Sequence, residues 1–192
     1  MAPLPPGPEV HTFTAIARCE STGRLGVATS TRSLAVGARV PFVRARTGAV
    51  AIMAIADARL GHMAQRLLKM GYKAPAVIEQ LVQADPYCEY RQLGVIDDDC
   101  FTAARTGTEN REWAGHHVRD NFIALGNVLV GEHVLDGIEE GFNKKPEANL
   151  EDRLMLAIEA GRDAGGQHGG QRSAAILVYD DKEFPRIDLR VD

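Results

Sequence analysis

From Ala49 to Ala56 every residue is apolar: Ala49-Val50-Ala51-Ile52-Met53-Ala54-Ile55-Ala56. Side chains on a strand alternate between its two sides, so a strand of this composition has no face that tolerates water. Both faces must be covered, and helices on one side with a second sheet on the other would cover them. A membrane is no alternative, because no stretch of the chain approaches the ~18 apolar residues that a span requires.

The flanking segments supply the other layers. Residues 10–18 alternate and carry Thr12, Phe13, Thr14 and Ile16, which predicts a strand. Glu20-Ser21-Thr22-Gly23 then turns the chain so that residues 25–31 return as a hairpin partner. Residues 36–46 read as a further strand ahead of 48–55. The period then changes. Leu60, Met63, Leu67 and Met70 recur at helical spacing over 59–70, and Gly71 ends the run. A second helix over 74–84 has Pro75 in its first turn and Val77, Ile78, Leu81 and Val82 inward. Residues 90–96 and 100–105 flank the acidic turn Asp97-Asp98-Asp99, and 125–130 reads as a short strand. Helices follow over 132–142, with Val134, Leu135 and Ile138 inward, and over 150–161, with Leu154, Leu156 and Ile158 inward. Strands over 173–179 and 187–191 finish the chain. Strands in hairpins and helices in pairs predict an α+β fold with antiparallel sheets rather than a doubly wound parallel sheet. Residues 1–9, with Pro3, Pro5, Pro6 and Pro8, read as a proline-rich tail. Residues 10–192 hold enough chain for a single domain.

Several functional classes are disfavoured. A net charge of -4 and no basic stripe argue against nucleic acid. Cys19, Cys88 and Cys100 are odd in number and form no CxxC pair, which is the usage of a reducing compartment. With no apolar leader, the expectation is cytoplasmic. Asp97-Asp98-Asp99 lacks the ligand spacing of a calcium loop and suits a hairpin turn. His116 and His117 would point to opposite faces of a strand, so neither a metal nor any other cofactor is expected. The glycines of Gly165-Gly166-Gln167-His168-Gly169-Gly170 follow a helix, the reverse of a phosphate loop, and predict a helix-to-strand loop able to line a pocket. Trp113-Ala114-Gly115-His116 reads equally as a loop anchor or as a pocket wall. Arg91, beside Gln92, would if buried need a carboxylate partner or a bound anion.

His11-Thr12-Phe13-Thr14-Ala15-Ile16-Ala17-Arg18 with Thr22-Gly23-Arg24-Leu25-Gly26-Val27-Ala28 resembles the start of the domain-of-unknown-function 1028 family. The resemblance continues through Ala35-Val36-Gly37, Val40-Pro41-Phe42, Ala84-Asp85-Pro86, Arg91-Gln92-Leu93-Gly94-Val95, Trp113-Ala114-Gly115-His116, Gly126-Asn127-Val128-Leu129-Val130-Gly131 and Ser173-Ala174-Ala175. It implies a four-layer αββα sandwich like that of the N-terminal-nucleophile (Ntn) hydrolases, usually a homo-oligomer. The chemistry it implies is hydrolysis of an amide-type C–N bond in a small molecule. A threonine at a free chain start attacks the carbonyl, and its own α-amino group serves as base.

The family's threonine corresponds to Thr12, with Thr14 at the next hydroxyl position. The resemblance makes Gly126 and Asn127 the oxyanion donors, has His116 and Arg91 orient an anionic substrate and Trp113 wall the pocket, and adds Gln92 and Ser173 to the binding residues. Here eleven residues precede Thr12. An amide nitrogen has no lone pair free for base catalysis, so either His11–Thr12 is cleaved or the usual mechanism is closed. The alternative expectation is a non-catalytic, metabolite-binding or structural oligomer with its tail unprocessed and packed over the site. The family's Thr-Gln-Ala reads Ile52-Met53-Ala54 here, which removes two polar groups.

Overall fold

The all-apolar segment lies at the centre of a five-stranded antiparallel sheet in the computed structural model, which describes residues 7–192. In chain order the strands are β1 (Glu9–Val10), β2 (Thr12–Arg18), β3 (Leu25–Thr31), β4 (Pro41–Arg44) and β5 (Gly48–Ile55). After the helices α1 (Ala58–Lys69) and α2 (Ala74–Ala84) come β6 (Arg91–Asp97), β7 (Thr102–Thr106), β8 (Gly115–Arg119) and β9 (Phe122–Gly126). The helices α3 (His133–Asn143) and α4 (Leu150–Asp163) precede β10 (Ser173–Tyr179) and β11 (Ile187–Val191). The first sheet runs β1-β5-β6-β7, with β4 also on β5; the second, six-stranded, runs β11-β10-β3-β2-β9-β8. The protein is thus a mixed α/β fold with two antiparallel sheets and, among the described residues, four α-helices.

Each face of β5 is covered as its composition demands. Val50 and Ile52 pack with Leu60, Ala64, Val77 and Leu81 of α1 and α2. Ala49, Ala51 and Met53 meet Ile16, Val27 and Leu125 of the second sheet. The outward face of β2 alternates Phe13, Ala15 and Ala17, and these pack with Leu135, Ile138, Leu154 and Ala157 of α3 and α4. Small residues let α4 approach: a Cβ at Gly26 would lie 2.6 Å from the Leu154 side chain. Each fully buried Ile or Leu contributes about 2 kcal/mol.

The helices begin and end within two residues of their expected positions. Which residues face inward differs. In α1 the buried set is Leu60, Gly61, Ala64, Gln65 and Leu68, whereas Met70 is 72% exposed. Gln65 turns inward because its amide donates to the carbonyls of Phe42 (2.7 Å) and Gly48 (3.1 Å), satisfying the strand ends it crosses. In α4, Leu156 and Ile158 are half-buried, and Leu150, Ala157 and Gly161 join Leu154 inside.

Four strand assignments change. The strand expected over 36–46 shrinks to Pro41–Arg44, and Val36–Ala38 forms one 3-10 turn after a left-handed Ala35. Gly37 there touches Ala175 and Arg190 too closely for any side chain. The strand expected over 10–18 breaks at His11, and the short piece Glu9–Val10 joins the other sheet opposite Ala54 and Ile55. The end of the expected tail is therefore strand, with the Pro8 carbonyl accepting from Ala56 N–H (2.9 Å); Pro3, Pro5 and Pro6 lie outside the described residues. Gly115–Arg119, half-exposed and polar, is an edge strand that carries His116 and His117 and whose bounds no alternation of apolar residues marks. The strand expected over 125–130 instead occupies Phe122–Gly126 and ends before Val128, whose φ of 57° no strand accommodates.

Candidate active site

Where the chain crosses from the first sheet to the second, only His11 separates the two strands. The His11–Thr12 peptide therefore bridges the sheets, and its surroundings are polar in an otherwise apolar layer. Thr12 has no exposed surface. Its hydroxyl donates to Thr31 Oγ1 at 3.3 Å, directly across the hairpin. Thr31 Oγ1 in turn donates to the His11 carbonyl oxygen. That oxygen also accepts from Gln167 Nε2 at 2.6 Å and from Arg32 N–H at 3.3 Å. Three donors thus converge on the carbonyl immediately before Thr12. The Thr12 carbonyl accepts from Asn127 N–H at 2.9 Å.

A cleft of ≈ 390 Å³ adjoins this peptide, lined by His11, Asn127, Val128, Ala54, Tyr90 and Arg111 among others. Two lining residues, Ala54 (φ 65°) and Val128 (φ 57°), hold left-handed backbone without being glycine. Such conformations cost about 1–2 kcal/mol each and persist only where the surroundings impose them. The carboxylate of Glu9 enters from the tail side, 3.0 Å from His11 Nε2 and 3.1 Å from Arg111 Nε.

Behind the cleft lies a second polar cluster, centred on the fully buried Gln92. Its amide nitrogen lies within hydrogen-bonding distance of Thr106 Oγ1 (2.9 Å) and the carbonyls of Gly115 (2.9 Å) and Gly126 (2.8 Å). Its oxygen accepts from Asn127 Nδ2 at 3.1 Å. Thr106 Oγ1 also meets His116 Nδ1 at 2.9 Å. Burial, and secondarily the charge of His117, push the His116 imidazole below its usual value, so it is neutral at pH 7.

The family match spans residues 12–192 and begins at Thr12 itself. The chain belongs to the family of unknown function DUF1028. A DUF1028 crystal structure from Silicibacter pomeroyi is similar over 95% of this chain and 81% of that one, at 31% identity and a TM-score of 0.87. Anbu, the ancestral beta-subunit from Yersinia bercovieri, aligns over 93% and 86% of the two chains at 10% identity, with a TM-score of 0.42. No curated protein matches the chain.

Within this DUF1028 chain the expected site residues fall into two sets. Thr12, Asn127, Gln92 and His116 are joined through hydrogen bonds, and Gly126 contributes its carbonyl to Gln92. Asn127 Nδ2 donates to Gln92 and the Asn127 N–H to the Thr12 carbonyl. The others stand apart. Thr14 lies deeper, its hydroxyl against Thr29 Oγ1 (2.7 Å) and Met53 Sδ (2.9 Å). Arg91 has the carboxylate partner that its burial calls for: Nε donates to Asp85 at 2.8 Å, Asp57 lies 3.9 Å away, and NH1 donates to the Ile55 carbonyl. Trp113 packs toward the α3–α4 core, its ring over Gly115. Ser173 Oγ donates to Ser33 O (2.8 Å) and accepts from Val36 N–H (3.1 Å), bracing the 33–36 loop. His116 and His117 do point apart, the latter reaching Glu139 at 3.1 Å.

Sequence reasoning missed Thr31, Gln167 and Arg111. Thr31 was within reach, since the turn sets Arg18 opposite Leu25 and therefore Thr12 opposite Thr31. Gln167 lies in the glycine-rich loop expected to be able to line a pocket, but nothing local indicates that it reaches the carbonyl before Thr12, 155 positions away (167 − 12).

Proposed function

We propose that this chain is the uncleaved form of a small-molecule amidohydrolase, with Thr12 as nucleophile on a four-layer αββα scaffold of the Ntn-hydrolase kind. The observation that carries the reading is the convergence of Thr31 Oγ1, Gln167 Nε2 and Arg32 N–H on the carbonyl oxygen next to Thr12. Donors arranged this way stabilise negative charge on a carbonyl oxygen by about 3 kcal/mol each when well aimed. Cleavage of His11–Thr12 leaves them pointing at the position a substrate carbonyl then fills. It also turns the Thr12 amide nitrogen into an amine. The Thr12 hydroxyl attacks the substrate carbonyl carbon, the amine takes its proton and passes it to the departing nitrogen, and water then hydrolyses the ester. Arg111, which meets the Glu9 carboxylate in the intact chain, takes a carboxylate on the substrate once the tail has left. Gln92 and Asn127 hold the strand ends that frame this arrangement, and His116, neutral, supports Thr106 behind them. Three unpaired thiols suit a cytoplasmic setting.

A second reading is a metabolite-binding homo-oligomer with the tail retained. It is favoured by the pairing of Glu9–Val10 with β5 and by the complete burial of Thr12 in the uncleaved chain.

The two separate on one comparison. Protein beginning at Thr12 is expected to hydrolyse members of a panel of N-acyl amino acids and small amides, with Thr12→Ala inactive. The intact chain runs about 10²–10⁴-fold slower, the contribution of a general base. Equal rates with and without the tail would sink the α-amino mechanism. A tail-free protein that binds the panel without turnover would establish the binding reading.

A further inference from the structure

Sheet edges expose unpaired backbone donors and acceptors, and proteins ordinarily blunt them with prolines, charges, bulges or a covering element. Most edges here are blunted. β1 is two residues long, β4 begins with Pro41, and β7 and β8 lie against each other, Thr102 Oγ1 donating to the Arg119 carbonyl at 3.2 Å. β11 differs. It closes one side of the six-stranded sheet, pairs with β10 without interruption over five residues, and has no described neighbour on its outer side. Two of its apolar residues stand out in solvent: Leu189 is 63% and Val191 68% exposed.

The order Ile187-Asp188-Leu189-Arg190-Val191 is self-complementary about Leu189. In an antiparallel pair of two such strands with Leu189 on the two-fold axis, each Ile187 faces a Val191 and each Asp188 faces an Arg190. Side chains alternate across the sheet, so the apolar and charged pairs lie on opposite faces. Ile187 already packs on the core beneath α3 and α4, so the apolar pairs extend that core across the seam. On the other face Arg190 Nε reaches Asp188 of its own strand at 3.0 Å, a pair placed to be shared between copies. A shift of the axis by one residue loses this matching.

We propose that β11 is the seam of a two-fold homodimer in which two copies join their six-stranded sheets into one continuous antiparallel sheet. The surface is isologous, as closed dimers require, and it lies on elements apart from the Thr12 peptide. Its fate is therefore independent of the hydrolytic reading.

Light scattering on the full chain tests it, with circular dichroism confirming that each variant is folded. The expected mass is twice the 20.8 kDa of the chain. Asp188→Arg sets cations against cations across the seam and Arg190→Asp sets anions against anions, so each alone gives monomer. The double variant Asp188→Arg with Arg190→Asp restores opposite charges and returns the dimer, whereas Leu189→Lys does not. A wild-type monomer, a dimer undisturbed by either single charge reversal, or a double variant no more dimeric than the singles would overturn the proposal.

Discussion

The layer between the two sheets has two ends made of opposite chemistry. At the end where β2 finishes, Ile16, Leu25, Val27, Ile96 and Ile123 belong to one apolar cluster. At the end where β2 begins, Thr12, Thr14, Thr29, Thr31, Gln92 and Asn127 are buried instead, tied by hydrogen bonds, with the left-handed Ala54 and Val128 beside them. The apolar end gains stability from every methylene it hides from water. The polar end nets only about 1 kcal/mol per hydrogen bond and holds strained backbone. A stretch of core that is polar, hydrogen-bonded and strained is poorly explained by stability, and it coincides with the cleft and the sheet crossing.

Deleting one member from each end sharpens the contrast. Gln92→Leu removes the Gln92 partner of Thr106, Asn127 and two strand carbonyls, and is expected to destabilise by about 4 kcal/mol. Ile16→Ala at the apolar end is expected to lose about 3 kcal/mol through lost burial and a cavity. Denaturant unfolding of both reads the difference. A Gln92→Leu protein as stable as wild type would show that the polar end is not an integrated network.

Strain gives the next effect, of opposite sign. Val128→Gly removes the clash of a β-branched residue at φ 57° and is expected to raise stability by about 1 kcal/mol. A loss on unfolding would mean that the Val128 side chain contributes packing that outweighs its backbone.

The smallest effect concerns pH. Burial holds the His116 pKa below the ordinary 6.5, so the unfolded chain binds the extra proton first. This contribution is complete above pH 6.5 and declines as pH falls below it. His116→Asn is expected to flatten that part of the stability profile, and superimposable profiles would exclude His116 as the responsible group.

Much of the fold was legible because it follows from local pattern. The eight apolar residues of 49–56 demanded two covered faces, and the periods of 59–70, 74–84, 132–142 and 150–161 placed four helices. Where the reading missed, contacts outside a segment's own pattern decided: Gln65 turned inward to serve two carbonyls, and the chain around Gly115–Arg119, which has no apolar alternation, is held as a strand by the neighbouring β9. The site was less legible. Thr12 followed from resemblance, yet Arg91 was already matched by Asp85, and Ser173 braced a loop instead of facing the cleft.

By itself, then, the order of residues determined which segments are amphipathic and which are buried on both sides. Such properties depend on neighbours a few positions away. Only the tertiary structure decided that Gln167, from a loop near the far end of the chain, would share a carbonyl with Thr31 and Arg32, or that Glu9 would meet Arg111. Hydrogen bonds and ion pairs act over about 3 Å, and separations that small between distant residues exist only once the sheets have assembled.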